Sequence, residues 1–118
     1  MQPTMRIFVD VTKQQFMVTR GAVPKVADRK TGVQKVDQAS NLPMWTTELT
    51  ALTPNGASVL QVTTASAVAP AVSVGQTVVP EDLEALPWSN KDREGEMRMG
   101  IAFRASALRA LTPATSSK

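Results

Sequence analysis

Seven basic side chains and a handful of aromatic rings are the groups of this 118-residue chain with the clearest chemistry to offer. Arg20, Lys25, Arg29, Lys30, Lys35, Arg98 and Arg104 are cations that could replace counterions along a phosphate backbone. Trp45, Phe16 and Phe8 are flat surfaces on which unstacked bases could sit. The chemistry in view is the binding of a single-stranded nucleic acid. The chain has three Phe, two Trp and no Tyr, so most of its rings belong in a core. Phe103 is assigned there, and Trp88, in Leu86-Pro87-Trp88, is expected to cap it. Trp45 is the preferred exposed ring.

Bond-making chemistry has few parts to work with. There is no Cys and no His. That removes thiolate and imidazole metal sites, disulfides, Ser-His-Asp triads and Cys-His dyads. Glu48, Glu81, Asp82 and Glu84 could pair as acid and base, yet no companion group or apolar pocket is visible around them. Each Gly stands alone, so no Gly-rich loop is present to cradle a phosphate. The expectation is a protein that is not an enzyme, with no cofactor, no metal and no small-molecule substrate. No apolar run nears the ~18 residues of a membrane span, and Met1–Arg6 lacks the apolar core of a secretory signal. A cytoplasmic protein without a membrane partner is expected.

The net charge of +3 hides an uneven distribution. Residues 1–38 carry seven basic and three acidic side chains. Residues 39–88 carry four acids and no Lys or Arg. Residues 89–118 carry six basic and three acidic side chains. If the two ends meet in the fold, one face becomes a footprint for a polyanion.

The elements that must position these groups read as strands. Ile7, Val9 and Val11 alternate with mixed neighbours, and Phe8 and Val9 compete for the inward face. Gln15–Arg20 is a second β-like run, which Gly21 is expected to end. Residues 25–41 hold few large apolar groups, so they are expected as an exposed, mobile basic wing, about 22–43. Met44–Leu52 puts Trp45, Thr47, Leu49 and Ala51 on one face. Pro54-Asn55-Gly56 then turns the chain into a partner strand over 57–64. Residues 65–73 are small and read as a loop, with strand character resuming over 74–79. The stretch 80–86 fits either a short helix or a continuing strand, with the strand preferred. After a charged turn over 89–96, Met97, Met99, Ile101 and Phe103 alternate with Arg98, Gly100, Ala102 and Arg104 in a last strand. Residues 112–118 read as a flexible tail. The pattern predicts an all-β domain over 1–111. Its expected form is a five-stranded OB-like Greek-key barrel with a protruding basic β-hairpin wing.

Ile7-Phe8-Val9-Asp10-Val11, Gln15-Phe16 and Thr19-Arg20-Gly21 resemble the opening of the filamentous-phage single-stranded DNA-binding proteins. The resemblance covers about the first 55 residues. It implies an OB-fold dimer that coats single-stranded DNA, with Arg20 on a phosphate, the wing cations clamping the strand, and Arg98 and Arg104 lining the same groove. Those phage wings carry Tyr, whereas this one has no aromatic, which favours backbone clamping with little sequence readout. The whole chain also resembles small proteins of actinobacterial integrative and conjugative elements that are labelled regulatory. The shared pattern includes Phe16-Met17-Val18-Thr19, Pro43-Met44-Trp45, Leu86-Pro87-Trp88 and Gly100-Ile101-Ala102-Phe103-Arg104-Ala105.

The expected function is sequence-independent binding of single-stranded DNA by a homodimer in the replication or transfer of a mobile element or phage. The interface residues would be Arg20, Lys25, Arg29, Lys30, Lys35, Trp45, Arg98 and Arg104. Two alternatives remain open. One is a transcriptional regulator that binds duplex DNA. The other is a protein-interaction adaptor with no nucleic-acid contact.

Overall fold

A computed structural model describes residues 6–28 and 30–111. Arg29 and the expected tail at 112–118 therefore lie outside the described residues. The described chain is all-β: eleven strands and no helix. They are β1 (Ile7–Phe8), β2 (Gln15–Pro24), β3 (Val26–Asp28), β4 (Val33–Gln34), β5 (Val36–Asp37), β6 (Leu42–Thr53), β7 (Gly56–Ala65), β8 (Thr77–Glu81), β9 (Glu84–Lys91), β10 (Met97–Arg104) and β11 (Ala107–Ala110). Nine of them form one sheet, in the order β1-β9-β10-β7-β6-β2-β8-β11 with β5 on β6, and this sheet curls into a half-barrel. β3 and β4 make a separate two-stranded ladder.

The β6–β7 hairpin is the spine. Its register runs unbroken from Met44↔Ala65 to Thr53↔Gly56. The turn works because Gly56 takes a φ of 129°, closed to most side chains, and the Thr53 hydroxyl accepts from the Asn55 N–H. Strand alternation then sorts the side chains. Leu49, Ala51, Val62, Phe16, Val18, Val78, Leu83 and Ala105 form the buried cluster, with Val9, Val11 and Phe103 packed against it. Val9 takes the inward face and leaves Phe8 exposed. The hydroxyls of Thr47 and Thr64 are buried on this face and find no partner among the described residues.

Several elements depart from the expected five-strand plan. Gly21 does not end β2. The strand runs on to Pro24 through register shifts on either side of Arg20, so the chain bends by bulging. Residues 22–43 divide into two small hairpins because the main chain of their base is tied to β6. The Lys25 N–H donates to the Met44 carbonyl at 3.0 Å, and the Met44 N–H donates to the Lys35 carbonyl at 2.8 Å. Only β3–β4, closed by Gly32 at φ 72°, stands apart from the main sheet. Over 80–86 the chain is strand on both sides of a turn. Asp82 adopts φ 53° and tucks Leu83 into the core before β9 begins. The expected last strand is followed by β11, which pairs with β8.

The largest correction concerns β10. Its alternating apolar residues do not line the core: Met97, Met99 and Ile101 are 55, 73 and 58% exposed. β10 meets β7 only at Phe103↔Val62 and Arg104↔Thr63. Beyond that point β9 and β10 pair only with each other and leave the body as a two-stranded arm. Trp88 sits on this arm and is 45% exposed, so it does not cap the core.

Two substitutions on the inner face of β6 should move stability in opposite directions. Leu49→Ala empties a fully buried position at the centre of the cluster and should cost about 2–5 kcal/mol. Thr47→Val keeps the shape but removes an unpartnered hydroxyl and should stabilise by about 1 kcal/mol. Urea unfolding of both variants measures the two changes.

Candidate nucleic-acid interface

Residues paired across neighbouring strands point to the same side of a sheet. One such row crosses six strands: Phe8↔Glu84↔Arg104↔Thr63↔Thr46↔Val23. The adjacent row, Ala85↔Phe103↔Val62↔Thr47, faces the core. Thus the residue next to Phe103 is placed on the outer face because Phe103 must go inward. That face gathers cations from three parts of the chain.

Lys25 leans across this row, and its Nζ donates to Thr63 Oγ1 at 3.0 Å. Its ammonium is held below the usual lysine range, first by partial burial, then by the positive charges of Lys35 and Arg104. Thr63, which this ammonium reaches, is the register partner of Arg104, and the Lys35 N–H donates to the Lys25 carbonyl at 2.6 Å, so the three basic residues are neighbours. Arg104 Nη2 reaches Asp37 Oδ1 at 3.2 Å. The Asp37 carboxylate sits low mainly through its bond from Ser40, with Arg104 adding to it. Beside them Arg6 grips Glu84 with two bonds, Nε to Oε2 and Nη2 to Oε1, each 3.0 Å. Arg6 also stands 5.0 Å over the Phe8 ring. Buried Glu84 is pulled below the ordinary carboxylate range, chiefly by these Arg6 bonds. Arg6, Phe8, Asp37, Glu84, Arg104 and Ser106 line a cleft of about 510 Å3.

The residues expected at the interface separate into groups. Lys25, Lys35 and Arg104 come together, Lys25 and Arg104 at Thr63 and Lys35 through its main-chain bond to Lys25. Arg20 is exposed on the same face, opposite Glu48 in the β2–β6 register. Lys30 is exposed at the β3–β4 turn. Arg98 shares the face of Arg104 but stands six residues along β10, roughly 20 Å away at the usual rise of a strand. It pairs with Asp92 at 3.3 Å. Trp45 is half-buried on the inner side, and its indole Nε1–H donates to the Ser66 carbonyl at 3.0 Å. Phe16 is core.

The exposed rings on the cationic face are Phe8 and Trp88. Trp88 pairs with Gly100, and its ring lies over that residue: a Cβ built there would meet Trp88 Cζ2 at 2.8 Å. Sequence reasoning missed Trp88 because it treated Leu86-Pro87-Trp88 as a cap. The available signal was Gly100, the one residue of the last strand small enough to lie beneath a ring. No group of three or more Asp and Glu side chains among the described residues could hold a metal ion, and no helix there is long and apolar enough to cross a membrane. No protein-family model, curated protein or solved structure matches the chain.

The carboxylates set the acid response. Asp37, Glu48 and Glu84 lie below their ordinary values when folded, so between the two states' values the unfolded chain binds more protons. Their stabilisation is complete above the usual carboxylate range and is lost as pH falls through the lower folded values. Thermal midpoints should therefore be flat above about pH 6 and fall below about pH 4, with a shallower fall for Glu84→Gln. Gly100→Ala should re-aim the Trp88 ring, changing tryptophan emission while far-UV circular dichroism stays the same.

Proposed function

We propose that this chain is a non-enzymatic protein that binds single-stranded DNA largely without regard to sequence. The observation that carries the reading is one outer face on which Lys25 and Arg104 meet at Thr63, with the main chain of Lys35 bonded to that of Lys25, together with the exposed rings of Phe8 and Trp88. Clustered cations track a phosphate backbone, and rings beside them stack on bases of any kind. Arg20 and Arg98 extend the same face in two directions, and Lys30 adds charge at the β3–β4 turn. The β3–β4 ladder serves as a short basic wing over the strand.

The sheet is taken as a partly open barrel of the OB type. In support, the sheet is curled and β10 crosses back to lie parallel beside β7, a non-sequential connection within it. The β1–β9 pairing draws the start of the chain toward the opposite end of the strand order. The resemblance of the first residues to the phage proteins agrees with this reading. Service in the replication or transfer of a mobile element follows from the two resemblances together.

Fluorescence anisotropy with labelled oligo-dT, random single strand and random duplex across a salt series tests the proposal. The two single strands should bind alike and more tightly than duplex, with affinity falling steeply as salt rises. Changing Lys25, Lys35 and Arg104 together to Gln should weaken binding at least tenfold and flatten the log–log salt slope by roughly 2, given about 0.7 per neutralised phosphate. Trp88→Ala should cost about 1–3 kcal/mol, the worth of one stacked base. Absence of binding at ~50 mM salt, where phosphate contacts are strongest, would overturn the reading. Preference for one duplex sequence would instead identify a regulator.

A further inference from the structure

Asp37 and Glu84, two acids beside the clustered cations, are each paired with an arginine. Glu48 is different. It is the single charged residue from Leu42 to Ala65, the span of β6, its turn and β7. Among the described residues it makes no ion pair, and its side-chain partners are neutral. Thr19 Oγ1 donates to Glu48 Oε2 at 2.7 Å, and Gln61 Nε2 donates to Oε1 at 3.2 Å. Thr50 Oγ1 in turn donates to Thr19 Oγ1 at 3.3 Å. The bulge of β2 allows this arrangement. Val18 pairs with Leu49 and Arg20 with Glu48, so Thr19 is the extra residue that joins Arg20 opposite Glu48. The bonds from Thr19 and Gln61, with the charge of Arg20 adding, hold the Glu48 carboxyl below its ordinary range. Its negative charge is therefore present at neutral pH.

The place of this charge matters. Glu48 lies two residues along β6 from Thr46, the register partner of Thr63. That is about 7 Å from the row in which Lys25 and Arg104 meet. The distance is inside the ~10 Å Debye length at 0.1 M salt, so Glu48 acts on phosphates that the cations hold. We propose that Glu48 is the residue that makes this face prefer a single strand to a duplex. The proposal rests on the single-strand reading above and gives that preference a cause. A flexible single strand lays its phosphates over Lys25, Lys35 and Arg104 and turns uncharged bases toward Glu48. Base edges meet a carboxylate with N–H donors. A duplex carries twice the charge per unit length and stays straight over ~150 base pairs. It cannot turn its second phosphate row aside, and that row meets the fixed carboxylate. Rejecting one of two similar ligands takes a repulsive group where only that ligand brings its charge. Thr19 and Gln61 are positioning residues in this scheme.

Glu48→Gln keeps the shape and removes the charge. Anisotropy of the full chain with a random single strand and with its duplex, at ~50 mM salt, reads the ratio of the two affinities. The variant should bind duplex roughly tenfold more tightly, with single-strand affinity changed by less than about threefold. The gain should shrink as salt rises. Glu48→Asp retains the charge and should retain the wild-type ratio. Glu94→Gln makes the same change of net charge at an exposed turn and should shift both affinities together. Thr19→Val frees one carboxylate oxygen without removing the charge, and should narrow the ratio by less than Glu48→Gln. Far-UV circular dichroism checks the fold of each variant. An unchanged ratio in Glu48→Gln, an equal rise for both ligands, or a wild type without preference overturns the proposal and leaves single-strand binding standing. A wild type that binds no single strand overturns both.

Discussion

Two residue pairs hold the architecture to its purpose: Phe103↔Val62 and Arg104↔Thr63, the whole of the contact between β10 and β7. The pairing is parallel and short, yet it joins the two halves of the sheet. Because strand side chains alternate, one residue of β10 goes to the core and the next goes to the outer face. Phe103 packs against the buried cluster, while Arg104 arrives beside Lys25 and Lys35. Upstream of these two pairs the strand's one neighbour among the described residues is β9, and the arm begins. Core, cationic face and arm all follow from where this ladder starts and stops.

The cationic face is held in balance by its acids. Asp37 sits against Arg104, and Glu84 against Arg6, so the like charges do not simply repel. Lys25 is half-buried with a Thr hydroxyl as its hydrogen-bond partner, and burial together with repulsion from Lys35 and Arg104 holds its ammonium below the usual lysine range. An anion arriving there would relieve that repulsion, and a phosphate backbone supplies anions in a row. The two opposite-charge pairs also set the arginine positions, so part of the ordering entropy is already lost before a ligand binds.

The arm has two chemically unlike faces. One side presents a ring and an arginine, in line with the cations of the body. The other presents aliphatic and thioether groups that stay largely exposed among the described residues. Pro87 and the charged residues near the tip limit addition of further strands, in the manner of protected sheet edges. A ribbon of only two strands gains little stability from its own ladder, so the arm depends on the short β10–β7 pairing at its base.

The residues by themselves determined the all-β class, the Pro54-Asn55-Gly56 turn, the shared face of Thr47, Leu49 and Ala51 on β6, and an inward Phe103, whereas Phe16, a stacking candidate by its type, is core. These depend on local alternation and turn chemistry, which neighbours in sequence specify. The cations were visible as residue types too, but their grouping was not. Lys25, Lys35 and Arg104 meet because β10 crosses back to β7, a pairing between residues far apart in the chain. Alternation in β10 showed an apolar side but could not say whether anything would cover it. Coverage depends on how far a neighbouring strand extends, and β7 pairs with β10 at only two positions. For the same reason Trp88 and Trp45 exchanged roles. The inward and outward sides of a strand can be read locally, but whether a side is buried is decided by the sheet's other strands.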